Sequence, residues 1–318
     1  MTRRVNELKD RLDAIMGIKK AEQKPDVDTA FWNMVHTGKV QNALKENSDG
    51  SGGYLVPDSY DSQLVDALRE ENFLRRISRV IKTEHTLRIP VTDTTGEAQW
   101  IDEEHPFQVS DVTFDRVTLG AYKAGTMIKV SEELLEDGMV DIQEYLKKEF
   151  VRRFADKEEE TFLRGNGLNK PLGLIYQATI AESKRPVLDF DTVFDLYYDL
   201  PHQYRDHAAF LCSEHAYREL HKIKTAMGQN MWVDSDMLLG RPIYTTKYLD
   251  DAVPGGLPIL FGDFSYFWIG ERGKTTLRRL NERYADKGQI GFQMHERVDA
   301  KLIRPEAMCC LKIKEESA

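Results

Sequence analysis

Long apolar runs are missing from this chain. No stretch approaches the roughly 20 residues that a bilayer-spanning helix needs, and the N-terminus lacks an apolar core followed by a small-residue cleavage site of the secretory kind. Cysteine is scarce: Cys212, Cys309 and Cys310 are the only three in 318 residues. The number is odd and two are adjacent, a spacing that strains a bridge, so free thiols in a reducing compartment are expected. An excess of positive charge is also lacking. The net charge is −9 and the pI about 5.5, which argues against tight, non-specific nucleic-acid binding through a basic face and against an anionic membrane surface as the main partner.

Recognisable catalytic templates are absent as well. Gly270-Glu271-Arg272-Gly273-Lys274-Thr275 imitates a phosphate loop, but Trp268 stands where the first glycine is required. The sequence there reads as a basic hairpin turn. Gly165-Asn166-Gly167 ends a helix instead of opening one, so no helix N-terminus is available to a pyrophosphate. Ser265 is followed by Tyr266 where a nucleophile elbow needs a small residue. His215 and Glu219 stand at i, i+4 without a third ligand of supporting spacing. Cys309 and Cys310 fall in an expected strand and point to opposite sides, which is packing and not ligation. No cofactor, no metal and no enzymatic site is therefore expected, and a structural role is favoured.

What the chain does contain is a large core. Hydrophobic residues make up 41% of it, enough to exclude global disorder. Its charge is uneven: Glu132–Glu160 carries 11 acidic and 5 basic residues, whereas Glu271–Arg304 carries 9 basic and 5 acidic. Such segments either steer copies together or form two solvated faces.

Six segments follow along the chain. Residues 1–48 form a short helical leader, with Val5, Leu8, Leu12 and Ile15 on one stripe, a stop at Pro25 and a second short helix over Phe31–Leu44. The polar stretch Glu46–Ser51 is a protease-accessible hinge. Residues 49–84 form an arm with a helix over Asp58–Ser78, burying Leu64, Val65, Leu68, Phe73 and Ile77. Residues 85–130 turn to period two. Leu87, Ile89 and Val91 alternate, a turn falls at Asp93–Gly96, strand character returns through Ala98 and Trp100, and Val112–Val130 alternates again. This is a long two-stranded ribbon with an acidic tip (Glu97, Asp102, Glu103, Glu104). Because isolated ribbons are marginal, it is expected to lie on a neighbouring copy; the alternative is a ribbon folded onto its own body.

Residues 131–186 hold a long helix capped by Asp141 with Glu144 three positions on, its stripe formed by Ile142, Tyr145, Leu146, Phe150, Phe154 and Phe162. At 1.5 Å per residue it runs about 35 Å, a spine that Gly165, Gly167 and Pro171 stop. Residues 187–257 form a small α+β module: a helix over Asp191–Tyr204 interrupted near Pro201, a strand over Ala208–Cys212, and a helix from Ser213 to Gly228. Residues 258–318 return as short strands at Ile259–Phe261, Phe267–Ile269, Thr276–Leu280 and Met308–Ile313.

With these residues set out, the chain resembles the major capsid proteins of tailed bacteriophages, the Hong Kong 97 fold family, from about Asn47 to Lys314. Gly52-Gly53-Tyr54-Leu55-Val56-Pro57 is similar to the family's lead-in to the N-terminal arm. Ala98-Gln99-Trp100-Ile101-Asp102-Glu103 resembles its extended loop, and Val130–Asp137 its turn into the spine helix. Phe162–Gly167 with Pro171-Leu172-Gly173, Leu239–Ile243 and Phe261–Phe264 are similar to later markers in the same order.

The resemblance implies an α+β capsid fold with arm, extended β-hairpin loop, peripheral domain with spine helix, and axial domain. It implies a shell protein of a tailed phage or prophage that self-assembles as hexamers and pentamers around double-stranded DNA without sequence-specific binding. Assembly would take place in the bacterial host cytoplasm, the protein ending in the virion, with a portal, a prohead protease and decoration proteins as further partners and no membrane. Trp100 and Phe107 are expected as apolar anchors of the loop on a neighbour, and Glu103 and Glu104 as polar partners. Some family members join subunits through a lysine in this loop; here no lysine lies between Ile89 and Arg116, so no such cross-link is expected at the tip. Two rivals remain: an encapsulin-like nanocompartment on the same fold, and a cytosolic hydrolase or other enzyme with an unrecognised site.

Overall fold

A computed structural model describes residues 27–39, 54–92, 114–136, 141–224, 232 and 236–315. The first described element is helix α1 (Val27–Thr37). It starts and ends earlier than the expected Phe31–Leu44, closing at Gly38, whose φ of +74° suits glycine. Although α1 belongs to the stretch expected as a leader, Ala30, Phe31, Met34 and Val35 are buried.

Strand β1 (Tyr54–Leu55) precedes α2 (Asp58–Glu71) and α3 (Phe73–Ile77). The single helix expected over Asp58–Ser78 is thus broken. Asn72 leaves the helical region at φ −96°, ψ 104°, and its side chain accepts from the Leu74 amide, capping α3. Beyond it lies β2 (Arg79–Thr83), a strand that the sequence reading did not separate.

The ribbon stem pairs β3 (Leu87–Thr92) with β4 (Phe114–Leu119), antiparallel, Leu87 opposite Leu119 and Thr92 opposite Phe114. The partner of β3 is therefore the later strand; Ala98 and Trp100 lie outside the described residues. The expected run over Val112–Val130 also divides. After Gly120 and Ala121 the chain enters β5 (Tyr122–Ser131), which leaves the ribbon and joins the body.

A short helix α4 (Glu132–Glu136) leads to the spine α5 (Ile142–Arg164). Asp141 caps the spine by accepting from the Gln143 and Glu144 amides, and the Gly165 amide closes its end on Thr161. Ile142, Leu146, Phe150, Phe154 and Phe162 are buried as the periodicity requires, but Tyr145 is 39% exposed. On the outer face Glu144, Glu149 and Glu160 pair with lysines and arginines three or four residues away.

The second half of the chain supplies β6 (Thr179–Glu182), α6 (Phe190–Asp199), α7 (His202–Arg205), β7 (Ala209–Ser213), α8 (Glu214–Lys222), β8 (Met237–Leu238) and β9 (Arg241–Thr246). Helix α8 ends at Lys222, short of the expected Gly228; residues 225–230 are outside the described set. Strands β10 (Ile259–Gly262), β11 (Phe267–Arg272), β12 (Thr276–Leu280), β13 (Gln289–Leu302) and β14 (Met308–Lys312) complete the fold.

Two sheets organise the body. In the first, β13 is the central strand, with β5 along one edge. Along its other edge β11 and β12 run end to end, both antiparallel to it. Phe267 faces Leu302 and Glu271 faces Val298, but Thr276 faces His295, so the register slips by two residues across Arg272–Thr275. This corrects the hairpin-turn reading of Gly270–Thr275: the segment is a bulge in one long interrupted strand, with Gly273 at φ +69°. Outermost, β2 pairs parallel with β11 and β1 antiparallel with β12.

The second sheet has the order β6-β14-β10-β7-β9-β8. The module expected over residues 187–257 therefore takes three strands, β6, β10 and β14, from outside those bounds. Its central strands are buried on both faces, which explains their unbroken apolar text. In β14, Cys309 and Leu311 face one core with Phe210 and Phe261, while Met308 and Cys310 face another with Leu211 and Leu260. The two adjacent thiols do lie on opposite sides. A third core joins α1, α2, the first part of the spine and the first sheet.

Candidate subunit-contact surfaces

The ribbon is built from its root. Leu119, 1% exposed, lies where Gly270 leaves room: a Cβ on residue 270 would sit 2.4 Å from the Leu119 Cδ2. One residue on, the Gly120 amide donates to Asp299 Oδ2 at 2.6 Å, and the Ala300 amide donates to Oδ1 at 2.8 Å. Burial pushes the Asp299 carboxyl above its ordinary range, against the pull of those two amides. Arg304 donates to the Thr92 carbonyl at 3.1 Å and to its hydroxyl at 2.8 Å, and Arg272 donates to the Thr86 hydroxyl at 3.2 Å.

The stem is thus fixed to its own subunit along its length. Beyond Thr92 and before Phe114 the ribbon lies outside the described residues, and so do Trp100, Glu103, Glu104 and Phe107. All four sequence-based contact residues fall in that stretch.

Beneath the root is a charge cluster that sequence reasoning missed. Arg75, on α3, is 1% exposed. It donates to both oxygens of Glu158 on the spine, at 2.6 and 2.5 Å, and to Glu271 on β11. Glu296 on β13 approaches its guanidinium at 3.9 Å, and Asn72 donates to Glu158 at 3.2 Å. Four elements meet there: the arm helix, the spine and two strands of the first sheet. Burial alone would lower the Arg75 guanidinium; Glu158, with Glu296 and Glu271 behind it, more than reverses that. Three carboxyls against one arginine cannot all ionise cheaply. Burial, and then the charge of Glu158, pushes Glu296 well above the usual carboxylate range. One sequence signal pointed here: Glu158 stands among Val151, Phe154, Ala155 and Phe162 on the buried stripe.

The other motifs settle into structural positions. Gly165 ends the spine, tight against the Pro171 carbonyl. Ser265 is exposed in a single 3₁₀ turn. The His215 Nδ1 accepts from the Ala252 amide at 3.1 Å, tying α8 to the turn after β9. A cleft of about 250 Å³ beside the spine is walled by Phe154, Phe162 and Tyr122, with Lys123, Lys157 and Lys170 also lining it. Large apolar side chains exposed on the second-sheet module include Tyr176, Ile180, Val187, Phe194 and Tyr198. No group of three or more His, Cys, Asp or Glu among the described residues could hold a metal ion. No helix among them is long and apolar enough to cross a membrane.

A spine helix on a long sheet, a ribbon rooted on that sheet and a second sheet carrying its own helices define a shell-building protein of the Hong Kong 97 type. A profile of the phage capsid family matches residues 52–313, and the chain belongs to that family. The major capsid protein of Klebsiella oxytoca phage phiKO2 is 24% identical over 304 residues, covering 82% of this chain and 70% of that one. Among solved structures, the capsid of an empty GTA particle computed with C5 symmetry superposes with a TM-score of 0.67 at 25% identity, covering 77% of this chain and 90% of that one. A chain from Gordonia phage Cozz superposes with a TM-score of 0.59 at 14% identity, covering 77% and 87%. The expected α+β capsid fold is borne out, and the chain functions as a phage major capsid protein, a self-associating component of the virion.

Proposed function

We propose that this chain tiles the head of a tailed phage or prophage as hexamers and pentamers, closing an icosahedral shell around double-stranded DNA. The observation that carries this reading is the ribbon, whose stem is pinned to its own body through Asp299, Arg304 and Gly270. The acidic stretch that continues the stem in sequence, residues 93–113, is the part that contacts a neighbouring copy. On a neighbouring copy Trp100 and Phe107 supply apolar anchors, and Glu103 and Glu104 supply polar partners. Each contact is modest, and closed symmetry multiplies it over many copies.

The six-segment division of the chain belongs to the same proposal, as do assembly in a bacterial cytoplasm, partnership with a portal, a prohead protease and decoration proteins, and the lack of a catalytic role. DNA is held by enclosure and not by sequence, consistent with the net charge of −9. Negative-stain microscopy of the expressed protein tests the reading: closed particles of uniform diameter are expected. A monomer or small oligomer by sedimentation at all concentrations would refute it. Particles that lack DNA in the infected host and enclose a host enzyme would point to a nanocompartment.

A further inference from the structure

Helix α1 lies outside the span that the family profile matches, yet it fills part of the family core. Phe31 is fully buried. Trp32 meets the Tyr60 ring edge-on at 4.7 Å. Ser59 donates to Asp28 at 2.6 Å at one end, and Arg279 donates to the Met34 carbonyl at 3.4 Å at the other. A free peptide of this length is not helical in water, so the groove between α2, the start of the spine and β12 is what orders it. Both flanks of the intervening stretch, residues 40–53, are held on the same strand. Gly38 packs against Arg279, and Tyr54 pairs with Leu277. Neither attachment depends on the peptide bonds between them.

We propose that this groove is a docking site for a helix of the chain's own leader, occupied by residues 27–37, and that α1 is a permanent part of the subunit. A backbone cut within residues 40–53 then does not shed the leader. The severed piece stays seated, and residues 1–26 remain tethered to every copy. Removal of the preceding residues requires scission before Val27.

The test places a specific protease site within residues 44–50 of the full-length chain. Dissociated subunits and assembled particles are cut separately, then passed over a sizing column, and the body peak is read by intact mass. Retention of the N-terminal fragment at about one per body in both samples is expected. With Phe31→Asp, retention in dissociated subunits should fall by more than about 100-fold, whereas Phe31→Leu should keep the fragment. Loss of the fragment from the cut wild-type body, folded or precipitated, overturns the proposal. So does a fragment held in particles but lost from dissociated subunits, because a sister copy's groove would then be its seat. The readout on dissociated subunits does not depend on shell formation, so it fails or succeeds separately from the capsid reading.

Discussion

Arg75 and Glu296 should move stability in opposite directions. Replacing Arg75 by methionine keeps the volume but leaves Glu158, with 2% of its side chain exposed, beside Glu271 and Glu296 without their cation. Breaking a buried pair in this way costs about 3–5 kcal/mol. Glu296→Gln removes the surplus carboxyl instead. The sign follows from proton linkage. The folded-state pKa of Glu296 lies above its unfolded value of about 4.3. Between those two values the folded chain binds one proton more than the unfolded chain, so stability falls by about 1.4 kcal/mol per pH unit as pH rises. Below the unfolded value both states are protonated and the term vanishes.

The other ionisable groups around Glu296 are Arg75, Glu158 and Glu271, with Lys82, Arg272, Lys274, Arg297 and Asp61 lining the small cleft beside it. Urea denaturation of dissociated subunits at pH 5.5, 7 and 8.5, with the m-value held common, should show Glu296→Gln gaining on wild type as pH rises. In an Arg75→Met background, Glu296→Gln should recover part of the loss, a coupling visible in a double-mutant cycle. A pH-independent offset between Glu296→Gln and wild type, or a loss under about 1 kcal/mol for Arg75→Met, would refute the reasoning.

Gly270→Ala drives a methyl into Leu119 at the ribbon root and should cost about 1–3 kcal/mol; Leu119→Ala added to it should relieve part of the strain, and a single variant indistinguishable from wild type in denaturant would count against the close packing. Burial pushes the Cys212 and Cys310 thiols up to about 12 and Cys309 to about 11, so a thiol reagent at pH 8 should label none in the native subunit and all three in denaturant. A rapidly labelled native thiol would sink that expectation. Trp100→Ala particles should assemble poorly or melt at lower temperature than wild type; equal heat resistance removes the anchor role. Boiled mature particles should run as monomers on denaturing gels, since no lysine lies between Ile89 and Arg116, and a ladder of covalent multimers would contradict this.

The parts of the fold legible from sequence were those where one periodicity runs unbroken. The spine announced itself through its apolar stripe and the Asp141 cap, and β7, β10 and β14 through short apolar runs buried on both faces. Elements governed by partners far along the chain were not legible. Strand β13 escaped because Glu296, Asp299 and Lys301 interrupt its apolar text; the first two are matched to Arg75 and to the Gly120 amide, which only tertiary structure supplies. The break at Asn72 was hidden because a mid-helix asparagine looks neutral until its side chain is seen capping Leu74. Gly270–Thr275 read as a turn because a two-residue slip and a reversal share the same glycine-rich wording. The chemistry of the buried cluster was likewise spread over residues 72, 75, 158, 271 and 296, with no local spacing to reveal it.

The position of the last two strands sets an order on synthesis. β13 is the middle of one sheet and β14 lies inside the other, between β6 and β10. A ribosome-bound chain that has yet to release residues 289–312 lacks the strand that joins β5 to β11 and β12 and the strand that joins β6 to β10, so neither sheet is complete. Since domains fold as units as they emerge, a truncated product should be an unfolded chain for the cell's proteases to clear, and not a defective tile available to a growing lattice.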